Sequence, residues 1–521
     1  MYNMRLLSVT SNKGETLNHK TLFLPSSLRY LYWGSYPSKS LPPEFSLENL
    51  VELDMPFSEV TQLWDGGQNP INLKVIKLHY CKRLTALPDL SGSPNIEHMD
   101  LCGCESLVEI PQYLKNLDKL TYLDLSWCKL LEHLPEMPGN IEFLKLQGSG
   151  IKELPSSVWS HEKISSLDIT SCKKLKELPS NTCKLKVSGA FSLNGCTSLK
   201  KFRELPRGIG KLNLSRTRIK VLPTSSMRCL LCLTKLKLRN CINIASLLPS
   251  ICKLKSLEEL DLSFSSALRV VPSSIYELTN IKTLSFSCCR KLRNFPQPTA
   301  GSVGFLSLEV LNLHGSGILE IPEGIICSTS LRVLNLSRTK IRSIPSSIKQ
   351  VSQLSKLCVA GSKSLRSLPE LPMVRRLHAD FCESLKTVSS SRTAITRCWN
   401  RYELLQEEHT FYGCPSLGYD ARSSVMVDLQ LRIMRVATAS SKLKEEKEDY
   451  VCFSTASSNL KDDEYDEEEE EEGYWEEHCL CSNEEVRVCF STASSNLKGV
   501  SLSLSLSLSL SPPPLFSLSV K

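Results

Sequence analysis

Leu73 to Pro88 reads LKVIKLHYCKRLTALP, and close copies of it recur from near Leu28 to Val388. Three of them are Leu120 to Pro135 (LTYLDLSWCKLLEHLP), Ile281 to Pro296 (IKTLSFSCCRKLRNFP) and Leu331 to Pro345 (LRVLNLSRTKIRSIP). Their common frame holds apolar residues at positions 1, 4 and 6, a Cys, Ser or Thr at position 9, and a hydrophobic-proline pair at the end. Side chains two apart on a strand share a face, so Ile76 and Leu78 point inward, while positions 5, 7 and 8 point to the opposite face. A unit this small cannot bury its apolar edge alone. Successive copies must therefore stack, with one short strand and one return segment per turn.

Sixteen copies are countable, beginning at 28, 50, 73, 96, 120, 141, 164, 188, 209, 233, 257, 281, 308, 331, 354 and 374. The copy at 188 is the weakest, because Ser188 stands where the others carry an aliphatic residue. The frame is that of a leucine-rich repeat. The expected fold is an α/β repeat solenoid over residues 1–390, a curved horseshoe whose parallel sheet lines the concave side. Leu154 to Ser157 and Ile344 to Ser347 begin return segments, where proline forgoes a hydrogen bond it could not donate in a ladder. Met4 to Val9 reads as a strand with no polar cap before it, which predicts an exposed apolar edge and a missing upstream domain. After Val388 the frame is lost. Residues 391–440 are expected to form a partial post-repeat segment with one amphipathic helix over Asp420 to Ala439. Residues 441–521 are expected to be a disordered acidic and Ser/Leu low-complexity tail, in which VCFSTASSNLK occurs twice, at 451–461 and 488–498.

Charge is unevenly distributed along the chain. Residues 441–498 hold 6 Lys/Arg against 18 Asp/Glu, a net of −12, which leaves +20 on the rest of a chain whose total is +8. An acidic tail of this kind is either solvated or drawn electrostatically to the basic body. Of the 22 cysteines, eight (Cys81, Cys104, Cys128, Cys172, Cys196, Cys241, Cys289, Cys382) occupy position 9, where other copies have Ser58, Ser149, Thr217 or Ser265. A small group that can bond the backbone where the strand turns is the shared requirement, and a buried thiol meets it. The cysteines are accordingly expected to be reduced, in an intracellular, cytoplasmic protein with the nucleus as a second compartment. No apolar run reaches the length of a membrane span, and the first 20 residues lack the features of a secretory signal.

The motifs of phosphate-binding loops, nucleophile elbows, zinc proteases and dinucleotide folds are all missing, so no enzyme activity and no cofactor are expected. Cys229/Cys232 and His478/Cys479/Cys481 lack the second half of a zinc site. What remains is a surface. Position 5 gives a column that includes Lys77, Asp100, Asp124, Lys145, Asp168, Asn213, Lys237 and Asp261; beside it stand Tyr80, Trp127, Arg216, Arg239, Phe264 and Arg338, with Tyr122 and Phe143 at position 3. Exposed aromatic and Arg side chains anchor protein interfaces. The expected site is therefore a protein-binding concave face made of Lys77, Tyr80, Asp100, Tyr122, Asp124, Trp127, Phe143, Asp168, Arg216, Arg239, Phe264 and Arg338. The bland alternative is that some of these merely shield neighbouring strands. Nucleic acid is not an expected ligand, because the basic excess is spread around the solenoid and the column is partly acidic.

Leu28 to Pro42 (LRYLYWGSYPSKSLP), Leu50 to Trp64 (LVELDMPFSEVTQLW), the run of L-x-L-x-x-C copies and His409 to Ser440 together resemble the repeat region of plant intracellular disease-resistance proteins. Members of that family carry a TIR domain and a nucleotide-binding domain upstream; this sequence contains neither. The resemblance implies recognition of a pathogen effector or a guarded host protein, or regulation of the nucleotide-binding switch. It leaves open a general intracellular scaffold. A secreted repeat receptor would need a signal peptide and paired-cysteine caps, and a bacterial ubiquitin ligase with Leu-Pro repeats would need a catalytic helical domain.

Overall fold

The structure, a computed structural model, describes residues 4–10, 24–64, 68–187, 189–223, 225, 230–298, 304–326, 328–372, 374–389, 408–425 and 427, and two short strands at 503–504 and 518–519. The chain divides into two compact units, residues 1–333 and 334–521. In the first unit, eight parallel strands follow one another in chain order: β1 (Leu6–Thr10), β2 (Tyr30–Gly34), β3 (Glu52–Asp54), β4 (Val75–Lys77), β5 (His98–Asp100), β6 (Tyr122–Asp124), β7 (Phe143–Lys145) and β8 (Ser166–Asp168). A second parallel run takes β9 (Gly189–Ser192), β10 (Ile209–Asn213), β11 (Lys235–Lys237), β12 (Glu259–Asp261), β13 (Thr283–Ser285) and β14 (Val310–Asn312). The ladder is interrupted between β8 and β9, at the copy that the sequence marks as weakest. Ser188 itself lies outside the described residues. β9 opens on Gly189, with φ +82°, and its pairing with β10 shifts register between Ile209 and Lys211.

The strands are short for a physical reason. In most copies positions 3, 4 and 5 form the ladder, position 4 is buried, and by position 8 the chain has turned out of the sheet. Burial follows the frame in each copy: Leu73, Ile76, Leu78, Cys81 and Leu84 of one copy, and Leu120, Leu123, Leu125, Cys128 and Leu131 of another, are all solvent-inaccessible. Each such aliphatic side chain contributes about 1.5–3 kcal/mol by leaving water. The return segments contain little regular helix. They hold one-turn α-helices at Ser156–Trp159 and Glu323–Ile326 and single 3-10 turns at Gln112–Asn116, Pro249–Lys253, Ser273–Glu277 and Ser346–Gln350. Pro155 and Pro345 directly precede two of these turns in extended conformation, which places the repeated Leu-Pro-Ser-Ser motif at the start of the return.

β15 (Val333–Asn335) starts on the last residue of the first unit, and in the second unit β16 (Lys356–Cys358), β17 (Ser367–Leu368), β18 (Arg376–His378), β19 (Thr387–Val388) and β20 (Glu408–Thr410) follow; β16, β18 and β20 pair in parallel, as do β17 and β19. Strand β20 corrects the sequence reading, in which the frame ends at Val388. Residues 408–417 restore it: Glu408, His409 and Thr410 pair with Arg376, Leu377 and His378, Gly413 takes the turn with φ +64°, and Cys414 fills position 9. The copy was missed because His409 stands where an aliphatic residue is expected. Its ring is buried and its Nε2 lies 3.2 Å from the Val374 carbonyl. Residues 419–425 are helical, and the rest of the helix expected to Ala439 lies outside the described residues. So does the tail, except for β21 (Ser503–Leu504) and β22 (Leu518–Ser519), which pair antiparallel.

Candidate recognition surface

The backbone ladder decides what the exposed side chains are for. The N–H of position 6 donates to the position 5 carbonyl of the next copy, as Leu78 does to Asp100 at 2.8 Å; the N–H of position 8 donates to the next position 7 carbonyl, as Tyr80 does to Cys102 at 2.6 Å. The N–H of position 7 has no place in that pattern, and where position 5 is Asp or Asn its side chain accepts it. Asp100 Oδ1 takes the Cys102 N–H at 2.9 Å, Asp124 that of Ser126 at 2.9 Å, Asp168 that of Thr170 at 2.9 Å and Asp261 that of Ser263 at 2.8 Å. Asn213, Asn312 and Asn335 do the same. A short side-chain acceptor two residues before an orphan donor is the Asx device that secures turns. The acidic column thus has a structural task, and the second carboxylate oxygen meets other side chains: that of Asp124 accepts the Tyr122 hydroxyl at 3.3 Å, and that of Asp261 faces Arg239 at 3.6 Å. Asp54 differs, because its position 7 residue is Pro56, which has no N–H. Its Oδ1 is buried without a hydrogen-bond partner, and burial pushes its carboxyl above the usual range.

Position 8 does not belong to the strand face, contrary to the sequence expectation. In every described copy it adopts positive φ, +58° at Phe57, +59° at Tyr80, +61° at Trp127 and +63° at Phe264. Its side chain lies along the edge and covers position 8 of the following copy. A Cβ on Gly103 would stand 2.5 Å from the Tyr80 ring, and one on Gly148 2.4 Å from Trp127. Phe57 stacks on Tyr80 with centroids 5.2 Å apart and planes 3° from parallel. Shielding of the neighbouring turn is therefore part of what Tyr80 and Trp127 do, although both remain exposed. Arg216 takes the same turn in the first unit and Arg338 takes it in the second.

Tyr122 and Phe143 do stand on the strand face, at position 3 of β6 and β7, directly opposite each other in register. His98 stacks on Tyr122 at 4.0 Å, Phe143 lies 6.3 Å beyond it, and the Lys145 ammonium sits 5.3 Å over the Tyr122 ring. Charged groups border these rings: Lys77 bonds Glu52 at 2.8 Å and lies 3.9 Å from Asp54, and Lys145 lies 3.8 Å from Asp124. The hydrogen bond to Glu52 raises the Lys77 pKa, and burial lowers that of His98. Tyr30, Tyr32, Phe57, Tyr80, Trp127 and Phe143 are all exposed, so the copies carrying β2 to β7 form an aromatic, mixed-charge surface. On the second run, Arg239 lies 5.8 Å over Phe264 and 3.6 Å from Asp261.

Beneath this surface runs the position 9 ladder. Cys81 Sγ donates to the Met55 carbonyl at 3.1 Å, Cys104 to Leu78 at 3.2 Å, Cys128 to Leu101 at 3.3 Å, Cys172 to Leu146 at 3.1 Å and Cys196 to Ile169 at 3.1 Å. Cys241, Cys289 and Cys382 repeat the bond, and Ser265 makes it with a hydroxyl. Each thiol satisfies the position 6 carbonyl of the preceding copy, and burial pushes the thiols of Cys81 and Cys172 up to about 11. A second ladder went unread in the sequence: Asn49, Asn72, Asn95 and Asn280, each just before position 1, donate to a carbonyl one copy earlier. Its signal is the recurring Asn-Leu/Ile pair. Among the described residues no group of three or more His, Cys, Asp or Glu is arranged to hold a metal, and no helix is long and apolar enough to cross a membrane.

Residues 116–224 match the family described as disease resistance protein RPS4B-like, leucine-rich repeats, and residues 49–68 match a leucine-rich-repeat family. The TMV resistance protein N of Nicotiana glutinosa is 31% identical over 415 residues, covering 74% of this chain and 32% of that protein. The disease resistance protein RPS4B of Arabidopsis thaliana is 31% identical over 435 residues, covering 79% of this chain and 28% of the relative. The chain spans about a third of the length of these relatives. Among solved structures, YopM of Yersinia enterocolitica is 18% identical with a TM-score of 0.36, over 74% of this chain and 83% of that one. A chain of the Drosophila Toll–Spatzle complex is 18% identical with a TM-score of 0.43, over 70% of this chain and 48% of that one.

Proposed function

Because the chain belongs, through its leucine-rich repeats, to the plant disease-resistance proteins, we propose that it is a protein-recognition module of plant innate immunity, acting inside the cell. Its ligand is a pathogen effector or a guarded host protein, or else the nucleotide-binding switch that such repeats regulate. No catalysis and no cofactor enter this reading. The observation that carries it is the grouping of exposed aromatic side chains with paired charges on the copies of β2 to β7, over a sheet whose backbone groups are already bonded to one another. Binding there must run through side chains, and rings held rigid by their neighbours lose little entropy on contact.

Within this surface Tyr122, Phe143, Lys77 and Lys145 are the discriminating residues, because the frame does not require them. Asp100, Asp124 and Asp168 contribute their second oxygens. Tyr80 and Trp127 extend the surface along the edge. Arg216, Arg239 and Phe264 stand on the second strand run of the first unit, and Arg338 in the second unit. The test is proximity labelling in leaf tissue with the full chain and with Tyr122→Ala/Phe143→Ala, before and after pathogen challenge. Loss of a defined set of labelled proteins in the variant, with unchanged accumulation of the chain, is expected. An unchanged set would overturn the reading and leave a passive scaffold.

A further inference from the structure

Across most of the first unit, side chains of adjacent copies alternate in sign. Lys74 bonds Glu97 at 2.7 Å, Glu105 is shared by Lys129 at 2.9 Å and Lys82 at 3.4 Å, Glu132 is shared by Lys152 and Lys174, and Lys282 bonds Glu258 at 2.9 Å. The exposed face of β10 and β11 breaks that rule. Lys211 stands directly opposite Lys235 in register, and Lys237 stands opposite Asn213. Arg239 lies two residues beyond the end of β11, and Arg216 is exposed where the copy of β10 turns out of the sheet. On the other side, β9 sets only Ala190 and Ser192 against Lys211 and Asn213. Lys235 finds Glu259 at 2.9 Å and Arg239 finds Asp261 at 3.6 Å, whereas Lys211, Lys237 and Arg216 form no ion pair among the described residues.

Like charges placed opposite one another on neighbouring strands are unfavourable. Four cations around two carboxylates, with Arg216 on the adjoining edge, therefore make a face that gains from an anionic ligand, and we propose that it docks an acidic peptide segment of a protein partner. Nucleic acid fits less well. Glu259 and Asp261 on β12 lie about two strand spacings from Lys211, roughly 10 Å, so a uniformly charged phosphate backbone leaving the cations meets carboxylates. A peptide can place carboxylates on Lys211, Lys235 and Lys237 and a neutral or basic residue beyond them. In an extended peptide, alternate side chains recur at roughly 7 Å, which matches the step from Lys235 to Lys237 along β11. This face lies on other strands than the aromatic surface, so each proposal survives failure of the other's test.

The test uses the full chain with the carboxylates of residues 462–472 replaced by amides, which removes the chain's longest acidic stretch as a competitor. The probe is a fluorescein-labelled peptide with the natural sequence of those residues, DDEYDEEEEEE. Saturable binding followed by anisotropy is expected, weakened at least tenfold by Lys211→Glu/Lys237→Glu. Lys291→Glu/Arg293→Glu, the same change of net charge on another exposed surface, is expected to leave it within twofold. Absence of saturable binding, or equal loss in both variants, would overturn the proposal. So would a duplex DNA of matched charge that binds as tightly and loses as much in the Lys211/Lys237 variant.

Discussion

Asp54 occupies the same place in its copy as Asp100, Asp124 and Asp168 do in theirs, and one neighbour reverses its energetic sign. Asp124 accepts the Ser126 N–H at 2.9 Å, so Asp124→Ala strands a buried donor. That variant is expected to lose about 1–3 kcal/mol, read as a lower urea midpoint at pH 7. Asp54 has no such donor, since Pro56 follows it, and burial raises its folded pKa. A raised carboxyl binds its proton more tightly when folded, so its ionisation costs stability above the folded pKa, and the loss is recovered as pH falls through that value. Asp54→Asn is therefore expected to raise the urea midpoint at pH 7 and to narrow its advantage over the natural chain as pH approaches 4; a lower midpoint at pH 7 would show Lys77, 3.9 Å away, to matter more than burial. The sequence presented these aspartates as one acidic column. It could not separate them, because a turn acceptor and a ligand contact call for the same residue at position 5, and the difference is written two residues later.

At the scale of the repeat, the frame was legible because burial dictates it: positions 1, 4, 6 and 9 are buried in copy after copy. The left-handed turn at position 8 was not, because it tolerates Tyr80, Trp127 and Phe264 as well as glycine, and hydropathy carries no record of φ. What the sequence does hold is a pairing, a large residue at position 8 followed by glycine at position 8 of the next copy, as in Tyr80 with Gly103 and Trp127 with Gly148. Gly148→Ala should accordingly destabilise the chain by about 1–3 kcal/mol through φ +66° and the contact with Trp127. In a Trp127→Ala background only the backbone part should remain, and additive losses in the double variant would refute the contact. The cysteine ladder yields a chemical prediction at the same scale. With Cys81 and Cys172 held as thiols up to about 11 and buried, iodoacetamide at pH 8 should modify exposed Cys232 promptly and reach the ladder only on unfolding, which peptide mass mapping can follow.

A stacked array is stabilised by its nearest neighbours, so its weakest interface sets where it opens first. In the first unit that interface lies between β8 and β9, where the strand ladder stops while the turns stay joined. The Ser171 N–H still donates to the Asn194 carbonyl at 2.7 Å, and Cys196 Sγ still reaches the Ile169 carbonyl at 3.1 Å. In the return segments the Lys200 N–H donates to the Lys176 carbonyl at 3.0 Å and Glu177 bridges Lys201, so turn and return contacts cross a junction that elsewhere is also tied by strand pairs such as Val75 with His98 and Lys77 with Asp100. Amides of residues 189–191, on the strand that lacks a partner in the preceding copy, should exchange with deuterium at least tenfold faster than those of residues 98–100 and 122–124. In dilute urea, below the global transition, Cys196 should then react with a thiol reagent before Cys104 or Cys128, although all three are equally inaccessible in the folded chain. Equal rates for the three thiols would mean that turn and return contacts hold the junction as firmly as a paired strand does, and that the interruption between β8 and β9 has no energetic consequence.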